Sequence, residues 1–554
     1  MLKQIWKKAS LIMDGSLFFR AVGGIFAFCQ RAFSGSALHV VLAEPADESV
    51  LEASIFARLI TGCFGQLEKM RDRLSEIYEA SFLCKAALAL ASLARGSLAG
   101  RLFCQEFGLE SEERDQSWLG VWIMVIVAVG ACLGLLWFKP LTVIIAVAAF
   151  AGAVAAFCRP EIGIVGVVGL APFMPTMVIA AMLGYIALCF LLKLALDKRY
   201  SPAIDLTGII VVVYVIVGLF YGATSFAPSS SIKIALLVTL LVLSYPLVLA
   251  LIDTKKKLSF CLFVFASSAG VTGVYGLYQK LSGKVDTTWV DRSMFSDVTL
   301  RIYSTFQNPN VYGTYLLLAI PICLAMAYCA AKWIGKAYYL GISVLLALNL
   351  AWTFSRGCYL ALGLAAVVFI LFVNKRLIIL FCAGLFAVPF MLPASMINRI
   401  ASIANFGAGD SSTSYRIYIW QATLRILKDF WISGLGQGIE AYNVVYPLYA
   451  FSNVTAPHSH NLYLQVFVET GIFGLLVFLA LLASFFKTQV PFFFKTRNTK
   501  TKVLCAAFIS AVIAFLGQGM FDYVFYNYRV TLSFFIFLGL GNALVRMRLK
   551  GDFC

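Results

Sequence analysis

The sequence predicts an all-α, polytopic membrane protein with about 12–14 transmembrane helices. Three observations predict it. Hydrophobic residues make up 61% of the 554 residues and charged residues only 13%, which is typical of membrane-spanning chains. Apolar runs close to the ~20 residues that a helix needs to cross a bilayer follow one another almost without pause. Basic residues gather in alternate connections between these runs, in line with the positive-inside tendency. A large soluble core is excluded.

The first 116 residues differ from the rest in composition. They carry 13 Lys and Arg against 14 Asp and Glu, so they are nearly neutral in a chain of net charge +17. Apolar and charged residues recur there at helical spacing, which predicts a helical N-terminal extension (1–116) in the cytoplasm or on the membrane surface. Asp14 and Arg20 interrupt its first apolar stretch, and no signal-peptide pattern is visible.

The predicted membrane domain covers residues 117–546 and leaves 547–554 as a cytoplasmic tail. Prolines at 140, 160 and 175 break the early runs, which is why the number of helices is a range. The predicted spans are 117–138, 140–157, 161–174, 176–195, 204–222, 231–252, 258–281, 311–330, 335–354, 357–373, 376–393, 460–486, 502–520 and 527–546.

Charge alternation orients these spans. Basic residues mark every second connection from the fourth span onward, and these connections are predicted to be cytoplasmic. The basic groups are Lys193/Lys198/Arg199, Lys255/Lys256/Lys257, Lys332/Lys336, Lys375/Arg376, Lys487/Lys495/Arg497/Lys500/Lys502 and Arg546/Arg548/Lys550. The connections 282–310, 355–357, 394–459 and 521–527 must then face outward, and 394–459 is a large extracytoplasmic loop.

The charge and the cysteines exclude other classes of site. Basic cytoplasmic loops account for the net charge of +17, so no nucleic-acid partner is inferred. The 14 cysteines contain no CxxC pair, and most lie in apolar runs. They are interpreted as small buried hydrophobic residues, with neither a zinc site nor a disulfide framework indicated.

Three arginines lie in the outward connections: Arg301, Arg356 and Arg416. A guanidinium offers five donors in a fixed fork and suits phosphate oxygens. Together they predict a site for an anionic, phosphorylated substrate. The alternative is that each arginine reaches lipid headgroups or pairs with a structural carboxylate.

Two of the three histidines, His458 and His460, lie where the large outward loop enters an apolar helix. Asn461, Gln465 and Glu469 follow at a spacing of four, which places them on one helix face. Such a polar stripe either supports a site or joins helices by hydrogen bonds.

His460 could act as a general base, because an unperturbed imidazole titrates near pH 6.5. Zinc is an alternative for His458 and His460, but two histidines without a third ligand are a weak metal signal, and no metal site is predicted. Asp522 could orient an acceptor or pair with an arginine.

The ordered motifs resemble the O-antigen ligase and O-antigen polymerase superfamily of bacterial membrane glycosyltransferases. The resemblance covers roughly residues 120–546 and leaves the N-terminal extension outside. The motifs that carry it are Arg301 with Asn308-Pro309-Asn310, Thr353-Phe354-Ser355-Arg356-Gly357, Arg416 with Trp420 and Gly434-Leu435-Gly436, and 458–465 (HSHNLYLQ) with Glu469-Thr470-Gly471.

The resemblance implies a metal-independent enzyme without a cofactor in the bacterial cytoplasmic (inner) membrane. Such enzymes move a glycan from an undecaprenyl-diphosphate carrier to a hydroxyl of an acceptor glycan, lipid or protein on the outer face. By this resemblance His460 would be the base. Arg356 and Arg416, and more weakly Arg301, would bind the diphosphate. His458, Asn461, Gln465, Glu469 and Asp522 would support the site.

Two other classes compete with this hypothesis. A transporter or flippase of lipid-linked glycans would carry inverted repeats and broken helices near the midplane, and the sequence shows neither clearly. In a structural or signalling membrane protein, the outward arginines would be incidental.

Overall fold

The computed structural model describes residues 139–285, 300–391, 411–451 and 454–549, with isolated positions elsewhere. Apart from such positions, the predicted N-terminal extension, the predicted span 117–138 and the end of the tail lie outside the described residues. Parts of the connections 282–310 and 394–459 also lie outside them.

The prediction of an all-α polytopic membrane protein is confirmed. The described residues form helices and no β-strand. Eleven of these helices are long and apolar enough to cross a membrane, with α5 and α6 together counted as one. The helices are α1 Pro140–Cys158, α2 Pro160–Leu170, α3 Thr176–Leu196, α4 Leu206–Ala223, α5 Pro228–Val242, α6 Ser244–Leu251, α7 Lys255–Ser282, α8 Pro309–Cys329, α9 Trp333–Trp352, α10 Arg356–Val373, α11 Ile378–Met391, α12 Ser411–Phe430, α13 Ile439–Val445, α14 Leu462–Lys495, α15 Thr499–Gly519 and α16 Tyr528–Leu549.

Side-chain caps and prolines set many of the helix starts. Asp205, Thr254 and Asn308 each accept a backbone N–H from the first turn of the helix that follows. Prolines at 140 and 160 occupy the first helical position, where a missing N–H costs nothing. Two of the prolines that interrupt the early apolar runs of the sequence, Pro140 and Pro160, are therefore the first residues of helices.

Helices α8, α15 and α16 form the centre of the bundle. Between 78% and 94% of the residues in their apolar windows are buried, against 11% in α1. The exposed leucine, isoleucine and phenylalanine side chains of the outer helices suit contact with lipid. The outer helices therefore surround these three central helices.

The four connections predicted to face outward meet at one end of the bundle. Arg301 donates from Nε to the Thr353 carbonyl at 2.9 Å. Asn310 donates from Nδ2 to Asp522 Oδ2 at 3.2 Å, and His460 contacts the same carboxylate. Connections with basic residues, which are predicted to be cytoplasmic, meet away from this end. There Lys257 Nζ lies 3.7 Å from Glu161 Oε1, and Arg546 donates to the Leu249 carbonyl.

Helix α14 is broken near its start, whereas the sequence predicted one continuous span over 460–486. Thr470 and Gly471 leave helical geometry, with φ and ψ of −123° and 16° and of 58° and −170°. Residues 431–436 pair with the break: Leu435 N–H donates to the Val468 carbonyl at 2.7 Å and Gly436 N–H to the Glu469 carbonyl at 3.0 Å. Irregular backbone at membrane depth is tolerated where protein satisfies it in this way.

Glycine is required at position 471. Its φ is positive, and a Cβ there would lie 2.2 Å from the Ile432 carbonyl oxygen. This close approach joins the loop before α13 to the helix that carries the histidines.

Candidate functional site

The start of α14 positions the histidine segment. Asn461 is the N-cap, and its Oδ1 accepts the N–H groups of Tyr463 and Leu464 at 3.0 Å each. Its Nδ2 donates to the Met520 carbonyl at 2.9 Å. The same side chain therefore begins the helix and ties it to the connection that carries Asp522.

Asp522 is a buried carboxylate whose hydrogen bonds are made on both oxygens. Oδ1 lies 3.0 Å from His460 Nδ1 and also accepts the Tyr523 N–H, while Oδ2 accepts Nδ2–H of Asn310. Burial raises the pKa of Asp522, but the hydrogen bond from His460, the electrostatic interactions with both imidazoles and the positive charge of Arg416 outweigh it. The pKa therefore lies well below its usual range. The sequence suggests that Asp522 orients an acceptor or pairs with an arginine. In the structure Asp522 pairs with a histidine, His460.

The charge of Asp522 determines which nitrogen of His460 carries the proton. An ionised carboxylate only accepts hydrogen bonds, so Nδ1 of His460 must be the donor. In the neutral ring Nε2 then keeps its lone pair and can accept a proton. The backbone of His460 has a φ of 50°, a left-handed conformation uncommon for residues other than glycine. The Tyr415 ring packs against the imidazole, with the centroids 5.9 Å apart.

His458 has a different environment from His460. It is buried, and its ring stacks on Tyr526 with centroids 4.9 Å apart. Burial, then the neighbouring His460, lower its pKa to about 3; Arg416 adds to this, and Asp522 opposes it. Nδ1 of His458 accepts the backbone N–H of His460 at 3.2 Å, which requires that nitrogen to be unprotonated. His458 is therefore neutral at physiological pH and holds the His460 backbone.

Two of the three predicted arginines influence this cluster, Arg301 through Asn310 and Arg416 through its charge. Arg301 donates from Nη2 to Asn310 Oδ1 at 3.2 Å, and the amide of Asn310 contacts Asp522 in turn. The positive charge of Arg416 lowers the pKa of both His458 and Asp522. These residues come from α8, α12 and their flanking loops.

Arg356 is the first residue of α10, at the same end of the bundle. Its neighbour Gly357 packs so closely on α15 that a Cβ would lie 2.3 Å from Gln518 Oε1 and 3.3 Å from Phe521 Cβ. Phe521 directly precedes Asp522, so the start of α10 lies against the segment that carries the carboxylate.

Polar side chains on one face of α14 bind the loop that leads into this helix. Gln465 accepts the Ser459 N–H on Oε1 at 2.7 Å and donates from Nε2 to Glu469 Oε1 at 2.9 Å. All three residues are buried. The sequence left two roles open for this stripe, support of a site and the joining of helices. The contacts of Gln465 with Ser459 and Glu469 correspond to support of the histidine segment.

Sequence reasoning did not identify Asn310, Tyr415 or Tyr526 as site residues. Asn310 lies in the Asn308-Pro309-Asn310 motif, which signals a helix start. Its bridge between Arg301 and Asp522 depends on a residue 212 positions away. The tyrosines lie beside polar motifs, but only the fold shows which rings contact the histidines.

The same cluster offers ligand atoms for a metal ion. One ligand atom each from His458, His460 and Asp522 lies within 4.8 Å of the others, and two imidazoles with a carboxylate suit Zn²⁺. Asp522, which is distant in sequence from the two histidines, is thus the third ligand of such a set. A metal bound through Nδ1 of His460 would have to displace the hydrogen bond to Asp522.

Residues 341–479 match the sequence model of the O-antigen ligase family. The match confirms the resemblance to the O-antigen ligase and polymerase superfamily. It begins in α9, ends in α14, and includes Arg356, Arg416, both histidines of the cluster and the polar stripe; Arg301 and Asp522 lie outside it. No curated protein matches the chain.

Proposed function

We propose that the protein transfers a glycan from an undecaprenyl-diphosphate carrier to an acceptor hydroxyl on the outer face of the bacterial cytoplasmic membrane. The coarser statement already holds: the chain is a multi-pass membrane protein with a segment of the O-antigen ligase family, whose members act in glycan transfer. The observation that carries the proposal is the His460–Asp522 pair at 3.0 Å with the Arg416 charge acting on it.

In the proposed reaction, Nε2 of His460 takes the proton of the acceptor hydroxyl as its oxygen attacks the anomeric carbon. The bond between that carbon and the diphosphate oxygen breaks, and its electron pair leaves with the undecaprenyl diphosphate. A single displacement of this kind inverts the anomeric centre. The imidazolium then returns its proton to solvent or to the diphosphate.

Asp522 supports this step in two ways. It fixes the ring with Nε2 toward the acceptor, and its negative charge stabilises the imidazolium that forms. The positive charges of Arg356 and Arg416 would meet the charge that develops on the leaving diphosphate, with Arg301 as a further contributor. No metal is required for this sequence of steps.

The membrane domain 117–546, including loop 394–459, is the proposed catalytic unit. The acceptor is a hydroxyl of a glycan, a lipid or a protein. The charge alternation supports this orientation, because the end of the bundle that carries His460 and Asp522 lies opposite the basic connections.

A transporter of lipid-linked glycans is the second candidate, and the broken helix α14 is the observation that favours it. In transporters, unwound segments expose backbone groups to the substrate near the midplane. Here the Val468 and Glu469 carbonyls are already paired with residues 435 and 436. The charged groups lie at the end of the bundle, which favours the enzyme.

Glycan transfer in detergent separates the two candidates. The purified protein would receive a defined undecaprenyl-diphosphate glycan and a panel of glycan, lipid and protein acceptors, with products identified by mass spectrometry. An enzyme forms product in micelles, where no compartments exist. A complete lack of product with every acceptor, together with carrier movement across vesicles, would support the transporter.

A further inference from the structure

A polar cavity lies at the other end of α16 from the candidate site. Its volume is about 170 Å³, and the ends of α2, α3, α6, α7 and α16 surround it. The 18 residues from Tyr528 to Arg546 place it ~27 Å along α16 from the Asp522 end. The lining residues are Arg159, Glu161, Arg199, Tyr200, Ser201, Ala250, Leu251, Asp253, Lys257 and Arg546.

The cavity carries an excess of positive charge. Four lining side chains are cationic and two are carboxylates. Arg199 also pairs with Asp197 at 2.8 Å, so the four cations face three carboxylates. The cations outnumber these carboxylates, which suits an anionic group such as a phosphate.

Glu161 lies near two of the cations. It is buried, it accepts the Tyr200 hydroxyl at 3.0 Å, and it lies 3.8 Å from Arg159 Nη1 and 3.7 Å from Lys257 Nζ. These ion pairs are long, whereas a close charge-assisted pair lies at about 2.7–2.9 Å. Glu161 therefore holds Arg159 only loosely, and Lys257 is held more closely by Asp253, whose Oδ1 lies 2.8 Å from Lys257 Nζ.

Arg546 and Arg199 complete the donor set. Arg546 uses Nη1 to donate to the Leu249 carbonyl at 2.8 Å, one of the five N–H donors of a guanidinium. The Arg199 side chain is 56% exposed, and its Nε and Nη2 donate to the Asp197 carboxylate. Forked guanidinium groups of this kind suit the oxygens of a phosphate.

The size of the cavity indicates which part of a ligand it holds. Sites that enclose a whole drug-sized molecule occupy ~300–1,000 Å³, so this cavity fits a charged group at the end of a longer molecule. The last turns of α3 leave Leu188, Leu191 and Leu192 exposed, a few residues before Arg199. Acyl chains could lie on such a surface while a headgroup enters the cavity.

We propose that this cavity binds a phosphate group, supplied by the headgroup of an anionic membrane lipid. Basic pockets between transmembrane helices on the cytoplasmic side are suited to such headgroups. A soluble phosphate is the other source of the same chemistry, and the experiment separates the two. The proposal is independent of glycan transfer, because no residue of the cavity lies in the candidate site.

Native mass spectrometry of the full-length protein in detergent tests this proposal. Phosphatidylglycerol, phosphatidylcholine and inorganic phosphate would each be titrated onto the wild type and onto Arg159→Gln/Arg199→Gln. The matched control is Lys332→Gln/Lys336→Gln, which removes two exposed basic residues that do not line the cavity. Thermal unfolding in detergent verifies that each variant is folded, and Arg199→Gln alone replaces the double variant if that one does not fold.

We expect phosphatidylglycerol to bind the wild type and the control, and to bind the cavity variant about tenfold more weakly. A soluble source would be supported if inorganic phosphate bound the wild type more tightly than the cavity variant and phosphatidylglycerol bound both equally. Equal retention of phosphatidylglycerol and phosphatidylcholine, or equal binding by the cavity variant and the wild type, would overturn the proposal.

Discussion

Asp522 accepts a hydrogen bond from Nδ1 of His460 at 3.0 Å, across 62 residues of sequence. The pair joins the loop before α14 to the connection before α16, and it leaves one imidazole nitrogen for chemistry.

Replacement of His460 by Ala should lower the rate of glycan transfer by about 10²–10⁴-fold, the usual contribution of a general base. The rate is measured in detergent with a defined carrier glycan. His39→Ala, which replaces the third histidine of the chain, is the control and should retain wild-type activity. Wild-type activity of the folded His460→Ala variant would show that another group is the base.

Asp522→Asn keeps the shape of the side chain and removes its charge. We expect the rate to fall by about 10–100-fold, because the imidazolium loses its stabilising partner and the amide no longer fixes the tautomer. A normal rate with a normal pH–rate profile would mean that Asp522 has only a structural role.

Arg416→Lys and Arg356→Lys keep the positive charge and lose the planar fork. Both should lower transfer by about tenfold or more, because an ammonium cannot bind phosphate oxygens in the same bidentate geometry. The matched control is Arg376→Lys, in a connection predicted to be cytoplasmic. If all three variants retain activity, neither Arg356 nor Arg416 binds the diphosphate through its fork.

The stability of the protein should fall on acidification between about pH 6.5 and pH 3 because of His458. Its pKa is lowered to about 3 in the folded protein, so the unfolded chain binds a proton that the folded protein does not. At pH 5 the loss relative to pH 7.5 should be about 2 kcal/mol. Asp522 adds a loss only at lower pH, since its depressed pKa stabilises the fold above about pH 4.

Thermal unfolding in detergent at pH 7.5 and pH 5 measures this effect. His458→Asn should be less stable than the wild type at pH 7.5 but should lose less stability on acidification. An identical pH dependence in the two proteins would exclude His458 as the source.

A chelator should leave the transfer rate unchanged, whereas added Zn²⁺ should inhibit by binding His458, His460 and Asp522. Rates after dialysis against EDTA, with and without Zn²⁺, test both outcomes. Loss of activity on chelation that Zn²⁺ restores would replace the base assignment with a metal site.

Gly471→Ala should destabilise the protein by about 2–4 kcal/mol. The positive φ is strained for alanine, and the new Cβ would meet the Ile432 carbonyl. Gly363→Ala is the control, since a Cβ there meets nothing within 4 Å. If the two variants unfold at the same temperature, residues 431–436 do not hold the break as described.

Most of the spans and the polar end of the bundle could be predicted from sequence because they depend on local properties, but the helices found in place of the predicted spans 161–174 and 376–393, α2 and α11, are too short to be counted as spans. An apolar run of sufficient length predicts a span such as α8, and basic residues orient it. The order of Arg301, Arg356, Arg416 and His460 along outward connections also indicated one site. These inferences need no knowledge of which helices pack together.

Other features depend on contacts between distant segments, which no local pattern records. The break at Thr470 and Gly471 is stable because residues 431–436 supply its hydrogen bonds. His458 and His460 are two residues apart, yet burial against Tyr526 separates their environments. The carboxylate of Asp522 meets His460 only because the start of α14 and the connection after α15 lie at the same level of the bundle.

The break in α14 has a consequence for biogenesis. Residues 462–469 form a rod of only ~12 Å, far short of the ~30 Å hydrocarbon layer, so they cannot be inserted as an independent span. Residues 472–495 are long enough to insert alone. The short rod is held by hydrogen bonds from residues 431–436, so its final position depends on a segment that is synthesised before it.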